Sequence, residues 1–431
     1  MKKINIGLIG FGNVGSGVVR ILRERKAFLK EKVGTEINIA RIADKDISSK
    51  RNVNVDRSVL TKDARDVIAD PNIDIAVELV GGIHPSREFI IEALKSGKNV
   101  VTANKALLAE RGRELFALAE DRGKNIYFEA SVGAGIPIIK SLREGLVANR
   151  FESIFGIVNG TSNYILSEMS RNNRNFNEAL RQAQAKGFAE KDPSLDIAGM
   201  DSAHKLVILT YLCFGRLINL SDVFVQGVSD ISLCDVNYAK ELGFEIKLLA
   251  IAKKENGELE ARVHPTLIPQ DHLLSSVGSM FNALYVSSDL AGDLLFYGPG
   301  AGQLSAASAV VSDLVDLAQD IRAGLFRRNL NVVPDVSIKK LRRIDETSSR
   351  YYIRFMVKDQ PGVLAKISGI LARFGISIAS VTQKERKKTE TVPIVMILHD
   401  AKEKNLRLAL NMINRLDIIG EKPVAIRMEE V

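Results

Sequence analysis

Several ionisable residues stand together at the start of an apolar segment, MDSAHKLVIL, at residues 200–209. Asp201 and Lys205 are four residues apart, so they share one face if the segment is helical. On an exposed helix such an ion pair contributes only about 0.3–0.5 kcal/mol. The flanking residues are apolar, however, and a lysine buried among them needs acidic partners. The segment therefore predicts a desolvated lysine, which is a candidate acid/base group.

More carboxylates precede this segment. The sequence GFAEKDPSLD places Glu190, Asp192 and Asp196 in a predicted loop just before the helix. Carboxylates in this position favour binding of a substrate ammonium group, although acids in a loop also commonly mark the start of a helix. His204 stands beside Lys205 on a different helix face, and we interpret it as a structural histidine.

A glycine pattern follows the first predicted strand. In GLIGFGNVG, three glycines have the spacing G-x-G-x-x-G ahead of a predicted long helix. They permit, in order, a tight turn, close approach of the backbone to a pyrophosphate, and helix–strand packing. The helix N-terminus would face the phosphates. We therefore predict dinucleotide binding by residues of this loop, namely Gly10, Phe11, Gly12, Asn13, Val14 and Gly15.

The end of the second predicted strand bears on which dinucleotide binds. Asp44 lies about where a carboxylate would bind a ribose 2′-hydroxyl, although its separation from Gly15 exceeds the usual spacing of roughly 20 residues. Nearby basic residues offer a 2′-phosphate site instead, and these are Arg41, Lys45, Lys50 and Arg51. The sequence leaves NAD and NADP as alternatives.

A later strand end, VTANK, also carries polar residues. Because carboxyl ends of strands in an open α/β sheet face the ligand crevice, we expect Thr102, Asn104 and Lys105 near the nicotinamide half of the cofactor. Alternatively, Asn104 caps the following helix and Lys105 is a solvated lysine of its first turn. A cation at a helix N-terminus is electrostatically unfavourable, which favours a functional role for Lys105.

The elements that carry these residues predict an α/β fold. Up to about Gly123, short β-branched runs alternate with helical stretches, which is typical of a Rossmann-type doubly wound parallel sheet. Consecutive strands beyond about Phe151 predict an α+β substrate and dimerisation domain with a mixed sheet. The end of the chain reads as a βαββαβ unit. We expect domains at residues 1–135, 136–322 and 351–431, a linker at 323–350, and packing of a 302–322 helix onto the first domain.

Composition excludes several protein classes. With 46% hydrophobic and 26% charged residues among 431, the chain can bury sizeable cores. The net charge of +8 is mild, and the basic clusters KKLRR and KERKK lack interleaved aromatics, so we expect no nucleic-acid binding. Apolar runs are too short to span a membrane, and two cysteines cannot form a disulfide framework. We therefore expect a cytoplasmic protein.

The motifs, taken in chain order, resemble those of a known enzyme family. GLIGFGNVG, VELVGG, VTANKALLA, FEASVGAGIPII, GIVNGTSNYIL, GFAEKDPSLDIAGMDSAHKL and YGPGAGQLSAASAVVSDLVD together resemble homoserine dehydrogenase over about residues 1–325. The segment VKDQPGVLAKISGILARFGISI resembles an ACT domain, a small-ligand regulatory module. The first resemblance implies interconversion of L-aspartate 4-semialdehyde and L-homoserine with NAD or NADP, in threonine and methionine biosynthesis.

That resemblance implies a role for each candidate residue. Lys205 would donate the proton to the forming alkoxide, with Lys105 as its companion at the reacting group. The substrate amino group would be held by acids, namely Glu190, Asp196 and Asp201. Gly160 and Gly302 would line the cleft for cofactor and substrate. A sodium ion would bind Glu129, whose carboxylate precedes a glycine-rich turn, and the main-chain carbonyls of Val132, Ala134 and Ile136.

The ACT resemblance implies regulation by a pathway amino acid. L-threonine would bind at a paired interface of a homodimer or homotetramer, at the backbone N–H groups of a strand-to-helix turn. That turn consists of Asp359, Gln360, Pro361, Gly362, Val363 and Leu364. The alternative is an ACT unit that only dimerises. Two other functions also remain: a non-catalytic sensor of a dinucleotide and an amino acid, and another hydroxy-acid dehydrogenase, for which His204 lacks the usual carboxylate setting.

Overall fold

The structure, a computed structural model, describes residues 3–325, 332–384 and 391–430. Most of the basic cluster KERKK and part of the expected linker lie outside these ranges. The chain forms two compact units. The first comprises Met1–Phe151, His204–Leu220 and Ser288–Asp335, and the second comprises Glu152–Ala203, Ser221–Ser287 and Val336–Val431.

The strands occur in three groups along the chain. In chain order they are β1 Ile4–Ile9, β2 Ile37–Ala43, β3 Leu60–Thr61, β4 Ile75–Glu78, β5 Asn99–Thr102, β6 Ile126–Tyr127, β7 Phe151–Ile157, β8 Phe224–Val225, β9 Phe244–Glu255, β10 Glu258–Pro269, β11 Phe281–Ser288, β12 Gly292–Pro299, β13 Lys340–Leu341, β14 Ser348–Val357, β15 Ile378–Thr382, β16 Val392–Lys402 and β17 Ile419–Met428.

The helices alternate with the strands in the N-terminal part and separate the later groups. In chain order they are α1 Asn13–Glu24, α2 Lys26–Val33, α3 Arg65–Ile68, α4 Ser86–Lys95, α5 Lys105–Asp121, α6 Ile138–Lys140, α7 Gly160–Asn172, α8 Phe176–Ala185, α9 Ser194–Ile197, α10 Met200–Phe214, α11 Leu233–Glu241, α12 Gln303–Arg322, α13 Val363–Arg373 and α14 Glu403–Ile413.

The first unit contains a parallel sheet with the strand order β3-β2-β1-β4-β5-β6. At its centre, Ile6 of β1 lies opposite Ile39 of β2 and Ile75 of β4. Apolar residues of α1 and α12, including Val18 and Val310, are buried in the same core as these strands. This strand order confirms the predicted doubly wound sheet, and it places a ligand crevice at the carboxyl ends of β1 and β4.

The second unit contains a mixed sheet in the order β11-β7-β9-β10-β17-β14-β16-β15. Strands β9 and β10 are antiparallel, whereas β10 and β17 are parallel, with Thr266 opposite Arg427. The last four strands, with α13 and α14, form the predicted βαββαβ unit around its own apolar core. The βαββαβ unit therefore continues the sheet formed by β7 and β9 to β11 in the same chain.

Buried ion pairs join the C-terminal strands to the rest of the second unit. The guanidinium Nε of Arg354 on β14 donates to Asp235 Oδ1 on α11 at 2.7 Å. Likewise, Arg262 Nη2 on β10 donates to Glu429 Oε1 at 2.7 Å. All four residues are buried, so removal of either arginine would leave an uncompensated carboxylate in the interior.

Within the described ranges, no helix combines the length and apolar character required to cross a lipid bilayer.

Candidate active site

The glycine loop after β1 has a backbone that requires glycine at two positions. Gly10 has φ +102°, and a Cβ there would lie 2.7 Å from the carbonyl carbon of Leu79. A Cβ on Gly15 would lie 2.2 Å from the carbonyl oxygen of Gly10. At Gly12, by contrast, no described atom lies within 4 Å of an added Cβ. The loop is therefore packed at its two ends and open in the middle, where α1 begins.

A cavity of about 430 Å³ lies beside this loop, at the carboxyl ends of β1, β2 and β4. Its polar lining combines the loop with acids and bases from β2, α3 and the connections after them. These lining residues include Gly10, Gly12, Asp44, Lys45, Lys62 and Arg65. The cavity is wide enough for part of a dinucleotide, and its charged lining comprises three basic residues, Lys45, Lys62 and Arg65, and two acidic residues, Asp44 and Asp63.

Asp44 holds the glycine loop in place. Its Oδ2 accepts the Phe11 backbone N–H at 2.6 Å, and its Oδ1 accepts the Asp46 N–H at 2.8 Å. The guanidinium of Arg51 lies over the Phe11 ring at 4.8 Å, and its Nε donates to the Phe11 carbonyl at 2.6 Å. Of the four basic residues that the sequence suggested near a 2′-phosphate, Lys45 lines the cavity and Arg51 packs on the loop.

A buried hydrogen-bond network connects the ends of β4 and β5. Glu78 Oε2 accepts the hydroxyl of Thr102 at 2.7 Å, and Glu78 Oε1 accepts the Val80 N–H at 2.8 Å. Asn104 caps α5, because its Oδ1 accepts the Leu107 N–H at 3.2 Å, and its Nδ2 donates to the Gly82 carbonyl at 2.6 Å. Glu78 was not among the residues predicted from the sequence, although an acid at the end of a buried strand is a usable signal.

Both candidate lysines belong to the first unit. Lys105 is the first residue of α5 and is half-buried. Lys205 lies in α10 and is only 8% exposed, within a run of buried residues from Asp201 to Thr210. The neighbouring His204 Nε2 lies 3.8 Å from Glu110 Oε1. The burial of Lys205 agrees with the desolvation expected from its apolar flanks.

In the second unit, one amide brings two of the candidate acids together. Asn159 Nδ2 donates to Asp196 Oδ1 at 2.7 Å and to Asp201 Oδ2 at 2.9 Å. Asn159 was not selected from the sequence, since contacts over such chain separations leave no local pattern. Glu190 is exposed, and its carbonyl accepts the side-chain amide of Gln184 at 3.2 Å. Gly160 begins α7, where a Cβ would lie 3.1 Å from the Met280 carbonyl oxygen.

Glu129 is a buried carboxylate at the start of the glycine-rich turn. Its oxygens accept the N–H groups of Ile139 and Lys140 at 2.9 and 2.8 Å. Burial raises the pKa of Glu129 to about 7. Asp313 on α12 accepts the Glu129 N–H at 2.9 Å, and burial, together with the nearby Glu129 charge, raises the pKa of Asp313 well above its usual value. The group is a compact oxygen-rich site.

The other residues of the expected cation site belong to the same glycine-rich turn. Val132, Ala134 and Ile136 are buried, and Ala134 has φ +44°. The carbonyl of Ile136 already accepts the Ile138 N–H at 2.7 Å. Among the described residues, no cluster of three or more His, Cys, Asp or Glu side chains is arranged to bind a metal ion. Carboxylate and carbonyl oxygens are the ligand types that suit hard cations better than transition metals.

The remaining candidate residues lie in two further turns. Gly302, with φ +131°, precedes α12, where Gln303 Nε2 donates to Ser16 Oγ of α1 at 3.0 Å. Gly302 therefore directly precedes α12, and α12 packs on α1, the helix that follows the glycine loop. In the C-terminal unit, Gly362 has φ +89° and precedes α13. Val363 is buried there, whereas the rest of that turn is exposed, namely Asp359, Gln360, Pro361 and Leu364.

Protein-family models match most of the chain. The model of the homoserine dehydrogenase NAD-binding domain matches residues 10–129, and the homoserine dehydrogenase model matches residues 137–315. The ACT domain model matches residues 351–417. The three matches follow the same order as the groups of strands described above.

Relatives and solved structures agree with these models. Homoserine dehydrogenase of Neisseria gonorrhoeae is 43% identical, with 100% of both chains covered, and that of Bacillus subtilis is 40% identical, covering 100% of this chain and 99% of the relative. The crystal structure of a homoserine dehydrogenase from Thiobacillus denitrificans matches with a TM-score of 0.91 at 42% identity, covering 100% of this chain and 99% of the other. A hyperthermophilic archaeal homoserine dehydrogenase in complex with NADPH matches with a TM-score of 0.62 at 27% identity, covering 76% of this chain and 99% of the other.

The three bacterial matches extend over the whole length of the chain, and all four agree in the name of the enzyme. The chain therefore belongs to the homoserine dehydrogenase family, oxidoreductases that act on a CH–OH group.

Proposed function

We propose that this chain interconverts L-aspartate 4-semialdehyde and L-homoserine, for threonine and methionine biosynthesis, with Lys205 as the proton donor. The observation that carries the proposal is the burial of Lys205, which is 8% exposed within an apolar helix of a family member. An ammonium group is costly to bury unless it is hydrogen-bonded or paired with charge. Buried ionisable side chains occur preferentially at functional sites, so the position of Lys205 supports a role in the chemistry.

The chemistry requires a cation at the reacting oxygen. The nicotinamide supplies the hydride to the aldehyde carbon. Negative charge then develops on the oxygen, and an ammonium group within about 3 Å both stabilises that charge and provides the proton. Lys205 performs this step, and Lys105 at the start of α5 assists at the same oxygen. In the oxidative direction Lys205 accepts the proton from the hydroxyl of homoserine.

The acids of the second unit hold the amino group of the substrate. Asp196 and Asp201 share the Asn159 amide, so their carboxylates are close together. A pair of carboxylates favours an ammonium ligand over a neutral one. Glu190, on the exposed loop before α9, adds a third acid, and Gly160 keeps the backbone free of a side chain at the start of α7.

The first unit binds NAD or NADP through its glycine loop. The charges around the neighbouring cavity support NADP as the favoured cofactor. Both Asp44 oxygens already accept backbone N–H groups, whereas Lys45 and Lys62 line the cavity and carry positive charge that suits a 2′-phosphate.

A sodium ion bound by Glu129 and the carbonyls of Val132, Ala134 and Ile136 completes the catalytic unit. The raised pKa of Glu129 supports this assignment, because a bound cation would stabilise the ionised form of a buried carboxylate. The ion would stabilise the turn between β6 and α6.

L-threonine regulates the enzyme through the ACT domain, at the turn from Asp359 to Leu364. The exposed turn with Gly362 in the left-handed region, followed by a helix, supports carboxylate binding by backbone N–H groups. We further propose a cytoplasmic homodimer or homotetramer, because the effector of a paired ACT interface needs two copies of the chain.

A direct assay tests the proposal. Purified protein is mixed with L-homoserine and either NADP or NAD in sodium-containing buffer, and nicotinamide absorbance is followed with and without L-threonine. We expect turnover, a higher kcat/KM with NADP, and inhibition by threonine. Folded protein that binds a dinucleotide but shows no turnover with either cofactor would instead indicate the non-catalytic sensor.

A further inference from the structure

Asn159 occupies the junction between β7 and α7 in the second unit. Its backbone is extended, and its side-chain Oδ1 accepts the Ser162 N–H at 2.8 Å, which caps α7. The side chain is buried, at 5% exposure. A cap alone needs only this acceptor oxygen. The amide nitrogen of the same side chain is therefore not needed for capping.

That nitrogen bridges two carboxylates. An amide has two N–H donors. One is directed to Asp196 Oδ1 at 2.7 Å, and the other to Asp201 Oδ2 at 2.9 Å. Asp201 is buried and Asp196 is half-buried. Ser162 Oγ, in the first turn of the same helix, donates to the Asp196 carbonyl at 2.9 Å, so the start of α7 fixes Asp196 through backbone and side chain.

The choice of a neutral donor has a consequence for ligand binding. Two carboxylates directed to a common point repel each other, and a donor between them offsets that repulsion. A lysine or arginine in this position would also cancel their charge and compete with an ammonium ligand. An asparagine bridges both carboxylates and adds no positive charge of its own.

We propose that Asn159 is a positioning residue that sets the spacing of Asp196 and Asp201 to receive the ammonium group of the substrate. This inference rests on the proposed function, since it assumes that these acids bind the amino group of homoserine. Asn159 acts through the two acids and does not contact the reacting carbon. Its removal therefore weakens substrate binding more than it slows the chemical step.

The test uses Asn159→Ser in the full-length protein. Serine caps a helix about as well as asparagine, but it cannot bridge both acids. We expect KM for L-homoserine to rise by about tenfold or more, because the hydrogen bonds to two carboxylates are lost. We expect kcat to change by less than about threefold, and KM for the dinucleotide to stay within about twofold, because neither depends on the spacing of these acids.

The chain offers a matched control. Asn175 caps α8 through its bond to the Glu178 N–H at 2.9 Å, and it is exposed. Asn175→Ser makes the same substitution at a second helix cap and should keep the KM for homoserine of the unmodified protein. Thermal unfolding of both variants separates lost capping from lost bridging. If Asn159→Ser does not fold, Asn159→Thr replaces it, because threonine also caps helices.

The outcomes distinguish the two proposals. If the unmodified protein oxidises homoserine and folded Asn159→Ser has an unchanged KM, the positioning role is overturned while the function stands. An equal fall in kcat and kcat/KM also overturns it, since that result indicates a role in the chemical step. If the unmodified protein does not turn over homoserine at all, the proposed function fails and the inference is overturned with it.

Discussion

Lys205 and Glu129 are ionisable side chains in the interior of the first unit, and burial of each has a free-energy cost that the structure must offset. Their burial follows from the apolar residues on either side, which is why the sequence indicated a desolvated lysine and an acid beside a glycine turn. The backbone of Glu129 also contacts a residue far along the chain, and a local pattern does not reveal such a contact. Asp313, for example, receives the Glu129 N–H from 184 residues away.

Lys205→Met tests the proton donor. Methionine keeps most of the apolar stem and removes only the ammonium group. We expect kcat for homoserine oxidation to fall by about 10²–10⁴-fold, the usual contribution of a positioned acid or base. The dissociation constant for the dinucleotide, measured by fluorescence titration, should stay within about twofold. A variant with unchanged kcat would contradict the assignment.

Glu129→Gln tests the buried carboxylate. The pKa of Glu129 is raised to about 7 from 4.5, so the folded state holds its proton at pH values where the unfolded chain has lost it. The group therefore lowers the free energy of unfolding as pH rises from 4.5 to 7, by up to about 3 kcal/mol, with no further change above 7. Urea unfolding in sodium-free buffer should show a weaker loss in the glutamine variant over this range.

Sodium provides the second half of this experiment. Added sodium chloride should raise the melting temperature of the unmodified protein at pH 8, relative to tetramethylammonium chloride at the same ionic strength. Glu129→Gln should show no such difference between the salts. An equal response of both proteins would argue against Glu129 as a cation ligand.

At the level of elements, β1, α4 and α5 follow directly from hydrophobic patterning and turn residues. The long helix predicted after the glycine loop is instead two helices, since α1 ends at Glu24 and α2 begins at Lys26. Arg25 between them has φ −108° and ψ 19°, and neither glycine nor proline marks the break. Patterning could not predict a break of this kind, because it arises from how each helix packs.

The glycine loop yields a prediction about one element. A Cβ on Gly12 meets no described atom within 4 Å, so Gly12→Ala should fold with a melting temperature close to that of the unmodified protein. The same Cβ occupies the place where the backbone approaches a pyrophosphate, so KM for the dinucleotide should rise by about tenfold or more. Gly369→Ala, in α13 with equally open space, is the control and should leave that KM unchanged. Unchanged cofactor affinity in Gly12→Ala would contradict the placement of the pyrophosphate beside Gly12.

Across the whole molecule, the C-terminal domain was recognisable as a βαββαβ unit, but its attachment was not. The parallel pairing of β10 with β17 joins segments more than a hundred residues apart, as Arg262 and Glu429 are separated by 167 positions. Such pairing depends on the register of complete strands and on buried charges. Neither the strand pattern nor the intervening polar segment indicates it.

The buried pair of Arg354 and Asp235 makes this attachment testable. Arg354→Met would leave the Asp235 carboxylate, which is 0% exposed, without its opposite charge. We expect the free energy of unfolding to fall by about 3 kcal/mol. Because α11 and β14 are held together by this contact, inhibition by threonine should also weaken, while activity without threonine is retained. Denaturant unfolding and threonine titrations measure the two effects.

The same two parts of the chain supply the control. Lys384 Nζ lies 2.6 Å from Glu241 Oε1 of α11, and both side chains are about half exposed, at 53% and 52%. Since exposed pairs contribute only about 0–1 kcal/mol, Glu241→Gln should change neither stability nor threonine response appreciably. If the two variants instead weaken the response equally, the coupling depends on the general proximity of α11 and the ACT domain. A loss confined to Arg354→Met would identify the buried charge pair as the contact through which the ACT domain acts on the rest of the second unit.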